Sequence, residues 1–219
     1  MNMLDTRHVI LFNHSTSAEL FSAELPVPQQ RSQSDLVRSA LELAHESKTK
    51  LNGVDLTEQD LSKLDLSGLK MIKAQFTASD LSGANLSGGR LKEANFEGAR
   101  LPGADLSGAD LRNTNLTGVD LQGANLEGAD LRRAEMDGAD LRGAVLRGAK
   151  FENASLREAN LEGADLSGAI LTYCVANGAN FTDVLFEGIE FYMSDLKKVV
   201  GMPDEARAHA LRMRCEFDD

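Results

Sequence analysis

From Leu51 to Leu196 every fifth residue is apolar: 30 successive positions hold 21 Leu, 6 Phe, 2 Met and a single Ala, Ala176. A helix repeats its faces about every 3.6 residues and a strand about every 2, so neither produces that period. Two residues ahead of each apolar position runs a comb of small side chains, alanine at every unit from Ala124 to Ala169. The unit is Ala-(Asp/Asn)-Leu-x-x. So short a period, kept in phase over about two thirds of 219 residues, marks a solenoid in which each repeat buries its apolar side only against its neighbours.

Glycine placement sets the length of a coil. In a stretch such as Leu106-Ser107-Gly108-Ala109 the glycine stands third in a four-residue turn, where a type II turn needs positive φ. Sorted into four columns twenty residues apart, the Leu66 column holds Gly68, Gly88, Gly108, Gly128, Gly148, Gly168 and Gly188, whereas the Leu51 column holds only Gly53, followed by Lys73, Glu93, Asn113, Arg133, Asn153, Tyr173 and Met193. Segregation by column predicts coils of twenty residues, with type II turns on the Leu66 side and another turn type on the Leu51 side.

The units Ala104-Asp105-Leu106-Ser107-Gly108 and Ala109-Asp110-Leu111 resemble those of the pentapeptide-repeat family, and the resemblance spans residues 51–200. It implies an all-β solenoid, a right-handed quadrilateral β-helix with four pentapeptides per coil and the Leu/Phe and Ala positions inward. At a coil spacing of about 4.8 Å the rod is roughly 36 Å long, and its Leu ladder is structural.

Residues 1–50 and 201–219 flank the repeats as caps, because a bare coil end exposes backbone groups and ladder residues. Val9 to Phe12 and Leu20 to Leu25 read as two strands around a polar turn at Asn13 to Ser17, after which Pro26 and Pro28 break the chain. Ser32 or Ser34 can cap a helix running to about Ser47, with Leu36, Val37, Ala40, Leu41 and Ala44 on one face. A hairpin and helix before the first repeat is similar to the leader of phage and prophage members of the family. At the far end Pro203 can open a helix reaching about Arg214, with Asp204 and Glu205 at its positive pole. Outward positions turn apolar there, at Ile170, Val175, Leu185, Tyr192 and Met193. This patch either docks the C-terminal helix or forms a dimer or partner interface, which leaves monomer and homodimer both open.

A formal charge of −11 disfavours nonspecific nucleic-acid binding and suits a basic partner. With no long apolar run and no signal-like start, the expectation is a cytoplasmic protein that does not enter membranes. Cys174 falls on an inward small-residue position and Cys215 near the C-terminus, which is no disulfide framework.

Charge also separates by column. The Leu51 side carries Lys70, Lys73, Arg90, Lys92, Arg112, Arg132, Arg133 and Lys150 against Glu93, Asp110, Asp130, Glu152 and Glu190. The other sides are acidic, with Glu97, Glu135 and Asp137 on one and Asp120 and Asp140 on the next. His8, His14, His45 and His209 all lie outside the repeats without metal-ligand spacing, no nucleotide or nucleophile motif appears, and the carboxylates stand on flat faces, not in a cleft. No cofactor, metal or catalytic residue is expected. The sequence points to a non-catalytic module presenting flat charged faces to a protein partner. Its resemblance to the family's quinolone-resistance members supplies an alternative, a DNA mimic that occupies the DNA-binding surface of gyrase or another topoisomerase.

Overall fold

The residue ahead of each ladder Leu forms a parallel bridge with the residue twenty further on, from Lys50↔Lys70 and Asp65↔Asn85 through to Asn180↔Val200. Four such columns close the chain into a four-sided β-helix. The structure, a computed structural model, describes residues 5–27 and 32–218. Coils are joined by a repeating backbone pair: Leu66 N–H donates to the Asn85 carbonyl at 2.7 Å and Gly68 N–H to the Ser87 carbonyl at 2.8 Å. Within a coil most corners are closed by a bond such as Ala109 N–H to Leu106 O, 3.1 Å. The Leu66 column (Leu66, Leu86, Leu106, Leu126, Leu146 and Leu166) is buried throughout, as is the alanine comb.

The Asp or Asn of the unit has a local task. Its side-chain oxygen accepts the N–H two residues on, as Asp105 does from Ser107 at 2.9 Å and Asn125 from Glu127 at 3.1 Å. This turn motif suits short polar side chains that reach their own backbone. It explains why Asp and Asn are the commonest residues at this position.

All four sides share one corner conformation, contrary to the difference expected from the glycine columns. The Leu51 side has φ of +62° at Lys73, +60° at Arg133, +55° at Tyr173 and +46° at Met193, beside +62° at Gly108 on the Leu66 side. A left-handed residue other than glycine costs about 1–2 kcal/mol. Hydrogen bonds to the coils above and below hold the corner in place regardless of the residue there. The Leu51 side departs only near its end, where short strands at Ile170–Thr172 and Glu190–Tyr192 pair in parallel. There the buried Ser194 hydroxyl enters the preceding corner, accepting Cys174 N–H at 3.1 Å and donating to Leu171 O at 2.6 Å.

Ala176, the one break in the apolar ladder, is fully buried. The next three ladder residues are Phe181, Phe186 and Phe191, with ring centroids 5.7 and 6.1 Å apart. A small residue beside three large ones keeps core volume near constant.

At the N-terminal end β1 (Asp5–Phe12) and β2 (Glu19–Val27) form an antiparallel hairpin followed by α1 (Gln33–Glu46). Pro26 lies inside β2, paired with Thr6, and so does not break the chain as its sequence suggested; a two-stranded hairpin has only edge strands, which tolerate a missing N–H. Pro28 lies outside the described residues. Ser32, not Ser34, caps α1 through a reciprocal pair with Asp35, and Leu36, Ala40, Leu41 and Ala44 are buried against the first coil. The helix also meets that coil's orphan carbonyls. Arg38 donates to Asp60 O at 3.2 Å and Ser62 O at 2.9 Å, and the His45 ring bonds Ser67 O at 3.0 Å; one coil later the matching carbonyls accept backbone N–H groups.

At the other end β3 (Ile170–Thr172), β4 (Glu190–Tyr192) and α2 (Asp204–Arg212) complete the chain. After α2 the tail rejoins the rod: Asp195 bridges Glu216, with Leu196 N–H to Glu216 O at 2.8 Å. In this register Cys215 stacks over Ser194, which stacks over Cys174. The two free thiols are thus two coils apart, roughly 10 Å, beyond the Cα separation of about 7 Å that a disulfide tolerates.

Candidate binding faces

Along a coil side the residues before and after the ladder Leu both point outward, since side chains alternate on a strand. An Asp-Leu-Arg triplet therefore sets Asp and Arg next to each other on one face. Asp110 and Arg112 meet at 2.7 Å, Asp130 and Arg132 at 2.6 Å, and Asp140 and Arg142 at 2.6 Å. The guanidinium hydrogen bonds hold these three carboxyls below the ordinary aspartate range.

The Leu51 side is thereby resolved into two regions. In its middle Arg112 and Arg132 are neutralised by the aspartates of their own triplets. Around them, with Lys92, Arg133 and Glu152, lies a depression of about 410 Å³. The Glu152 Oε2 atom is buried there without a hydrogen-bond partner. Toward the N-terminal end, Lys73 and Lys92 share Glu93 at 3.3 and 3.2 Å, and Lys50, Lys70 and Arg90 occupy consecutive rungs of one ladder. Among the described residues these three form no ion pair, and neither do Arg133 and Lys150. Like charges at rung spacing repel by about 1 kcal/mol even in a water-like dielectric. The sequence reading missed Lys50, which stands at the head of this stack one residue before the repeat phase begins.

The acidic faces are less acidic than their sequence suggests. Glu97, Glu135 and Asp137 do share one side and Asp120 and Asp140 the next, but Asp140 is paired with Arg142, and Asp137 accepts from the Ser155 hydroxyl and meets Arg157 at 3.6 Å. Among the described residues the Glu97 carboxylate accepts from Asn115 Nδ2 at 3.4 Å and the Asp120 carboxylate from the Gln122 N–H at 3.2 Å. The periodic triplet was the available signal for Arg142.

A match to the family model for pentapeptide repeats, in eight copies, covers residues 47–77, 79–118, 90–128, 109–148 and 149–188. The chain belongs to the pentapeptide repeat family. Its β-helix is accordingly the right-handed quadrilateral form. Among solved structures the chain is similar to HetL, a pentapeptide repeat protein involved in heterocyst differentiation regulation from Nostoc sp. strain PCC 7120, at 24% identity and a TM-score of 0.38 over 74% of this chain and 97% of that one. It is similar to QnrB1, a plasmid-mediated fluoroquinolone resistance protein, at 21% identity and a TM-score of 0.43 over 75% and 88% of the two chains. Rfr23 from the cyanobacterium Cyanothece 51142 is 40% identical over 47% of this chain and 64% of its own, with a TM-score of 0.34. No curated protein matches.

In this pentapeptide-repeat rod the apolar patch stays open. Leu185, Tyr192 and Met193 are 57%, 37% and 44% exposed, and Ile170 and Val175 half-buried. Helix α2 borders the patch without burying it: it lies at the end of the rod with Ala210 buried, His209 6.2 Å from the Phe191 ring, and its residues beside Leu185 and Tyr192. Tyr173, set edge-on to Tyr192 at 5.7 Å, and Met213 enlarge the patch; neither was picked out in the sequence.

Burial pushes the Cys174 thiol up to about 12, which keeps it protonated and inert. No group of three or more His, Cys, Asp or Glu is placed to hold a metal among the described residues, and none of the described helices is long and apolar enough to cross a membrane.

Proposed function

We propose that this chain is a non-catalytic binding module whose basic side engages an acidic protein partner. The observation behind this reading is the stack of Lys50, Lys70 and Arg90 on consecutive rungs of a chain with charge −11. Elsewhere the rod relieves such crowding with a neighbouring counter-charge, as Arg100 does for Asp80 at 3.5 Å. Here the repulsion is left standing, which an anionic partner would relieve. The frame is rigid because successive coils are hydrogen-bonded on all four sides, so the cations are presented at fixed rung spacing without a backbone ordering cost on binding.

The experiment is affinity capture from a bacterial lysate with wild-type protein, with a K50E/K70E/R90E variant and with a variant reversed at Glu97, Asp120 and Glu135. A partner held by wild type, lost by the first variant and kept by the second, with capture weakening as salt rises, is the expected result. Capture that depends on neither face overturns it. The DNA-mimic reading rests on Glu97, Asp120 and Glu135, the three candidate carboxylates that form no ion pair among the described residues. Gyrase supercoiling run with the same three proteins tests it: inhibition by wild type that only the carboxylate reversal abolishes would favour the mimic.

A further inference from the structure

On every coil of the Leu66 side two N–H groups point toward the next coil. Leu146 and Gly148 donate to Asp165 O and Ser167 O, and Leu166 and Gly168 donate to Leu185 O and Glu187 O at 2.9 and 2.8 Å. The same two positions on the last coil are Phe186 and Gly188, and neither N–H has an acceptor among the described residues. The Val184 carbonyl, equivalent to the Ala164 carbonyl that accepts Leu185 N–H at 3.0 Å, is likewise unpaired. Elsewhere at this end the tail supplies a strand: Met193 N–H donates to Met213 O and Leu196 N–H to Glu216 O. Over the Leu66 side the chain has instead turned into α2, which borders, with the last coil, an open groove of about 540 Å³ lined by Val184, Phe186, Ile189, Pro203, Ala206 and His209. Phe186, the last member of an otherwise buried column, is only half-buried, its ring bordering this groove.

We infer that this slot binds an extended peptide segment of a partner protein, added in parallel as the missing strand of the Leu66 side. The register follows from the coils below. One partner residue places its N–H on Val184 O and its C=O on Phe186 N–H, and the residue two further on places its C=O on Gly188 N–H. The side chain between them points inward and stacks on Phe186, so it is apolar and of Leu or Phe size. The two flanking side chains point outward, where Glu187 and Glu205 form an exposed rim with no salt bridge among the described residues; charge complementarity makes the flanking residues Lys or Arg. Main-chain bonds supply the attachment, and the inward pocket with its acidic rim supplies the selectivity, as in other strand additions.

The test uses the full chain, 15N-labelled, titrated with the capped peptide Ac-Gly-Lys-Leu-Arg-Gly-NH2 and, as controls, its Glu-Leu-Glu and Lys-Asp-Arg counterparts. The expected result is a saturable shift centred on the Phe186 and Gly188 amides, with their hydrogen exchange slowed at least tenfold, and at least tenfold weaker binding of both controls. Two exposed changes, Glu187→Lys and Glu205→Lys, together weaken the basic peptide at least tenfold and leave the melting temperature unaltered. Ala206→Trp, which fills the groove from the α2 side, blocks all three peptides. Unperturbed amides at millimolar peptide, or equal binding of the acidic control, overturn the inference. So does protection of Phe186 and Gly188 that grows with protein concentration alone, which would make a second copy the occupant.

Discussion

The corner glycines give a test whose magnitude can be worked from single positions. Gly68, Gly108 and Gly148 have φ of +66°, +62° and +63°, and a Cβ added at any of them meets nothing within 4 Å. Mutation to Ala therefore carries no steric term. What remains is the left-handed backbone, about 1–2 kcal/mol per residue, less about 0.4–1 kcal/mol regained because the unfolded chain is stiffer; the net loss is about 1 kcal/mol at each site. The three lie two coils apart, roughly 10 Å, so their effects should add. The triple variant should lose about 3 kcal/mol, or about 6–12 °C in melting temperature for a chain of this size. Gly201→Ala should lose more than any one of them, since its Cβ would lie 2.4 Å from the Thr182 backbone. Arg133→Gly, at φ +60° on the Leu51 side, should leave the melting temperature unchanged or raise it. Thermal melts followed by circular dichroism measure these variants against wild type. A triple variant that melts within about 2 °C of wild type refutes the shared left-handed corner, and an Arg133→Gly variant destabilised as much as Gly108→Ala would return the Leu51 side to a different turn.

Leu126→Asp should unfold the middle of the rod, because it sets an unpaired charge in a ladder where Leu126 is fully buried, whereas Ser107→Ala on the outer surface should melt close to wild type; similar melting points would contradict the inward and outward assignment. The carboxyls of Asp60, Asp65 and Asp80, lowered by serine hydroxyl hydrogen bonds, and those of Asp110, Asp130 and Asp140, lowered by arginine, stabilise the fold above the unfolded aspartate value near pH ~4 and lose that contribution as pH falls through their folded values. Melting temperature should hold from neutral pH to about 5 and drop below about 4; an equal value at pH 3 and pH 7 would show that these bonds contribute nothing. Deleting residues 1–50 uncovers Leu51, Leu56 and the Asp60, Ser62 and Ser67 carbonyls, and should cause end-to-end association in sedimentation velocity. A truncated chain that stays monomeric with unchanged melting would show the leader to be a separate appendage.

The coil was legible because its determinants repeat. A ladder leucine, a small residue two places before it and a glycine column each recur about every 5 or 20 residues, and the 20-residue bridges follow. The turn types were not legible. Glycine frequency records where positive φ costs least, but Arg133 and Tyr173 adopt the same corner because backbone bonds on both sides fix it. Charge was legible as columns and illegible as potential: Asp140 counts as an anion in a column but shares its proton acceptors with Arg142. That pairing follows from the alternation of side chains on a strand and was present in the Asp-Leu-Arg spacing. The coverage of the apolar patch depended on where α2 turns, and no local pattern around Pro203 encodes a direction.

These outcomes divide the surface into two kinds of recognition. Along the sides nearly every ladder N–H and C=O is bonded to a neighbouring coil, so a partner meets only side chains on a rigid grid, and selectivity there has to come from charge placement such as Lys50, Lys70 and Arg90. At the ends the backbone itself is the ligand. The N-terminal end answers it with Arg38 and His45 from α1, and the C-terminal end with the strand at Met213 to Glu216. The last coil of the Leu66 side is left without either, next to a half-buried phenylalanine. Over it lies α2, whose Pro203, Ala206 and His209 border an open groove instead of adding a strand. The sides and the open slot can therefore be disabled separately, and variants of Lys50, Lys70 and Arg90 should leave peptide binding at Phe186 and Gly188 intact.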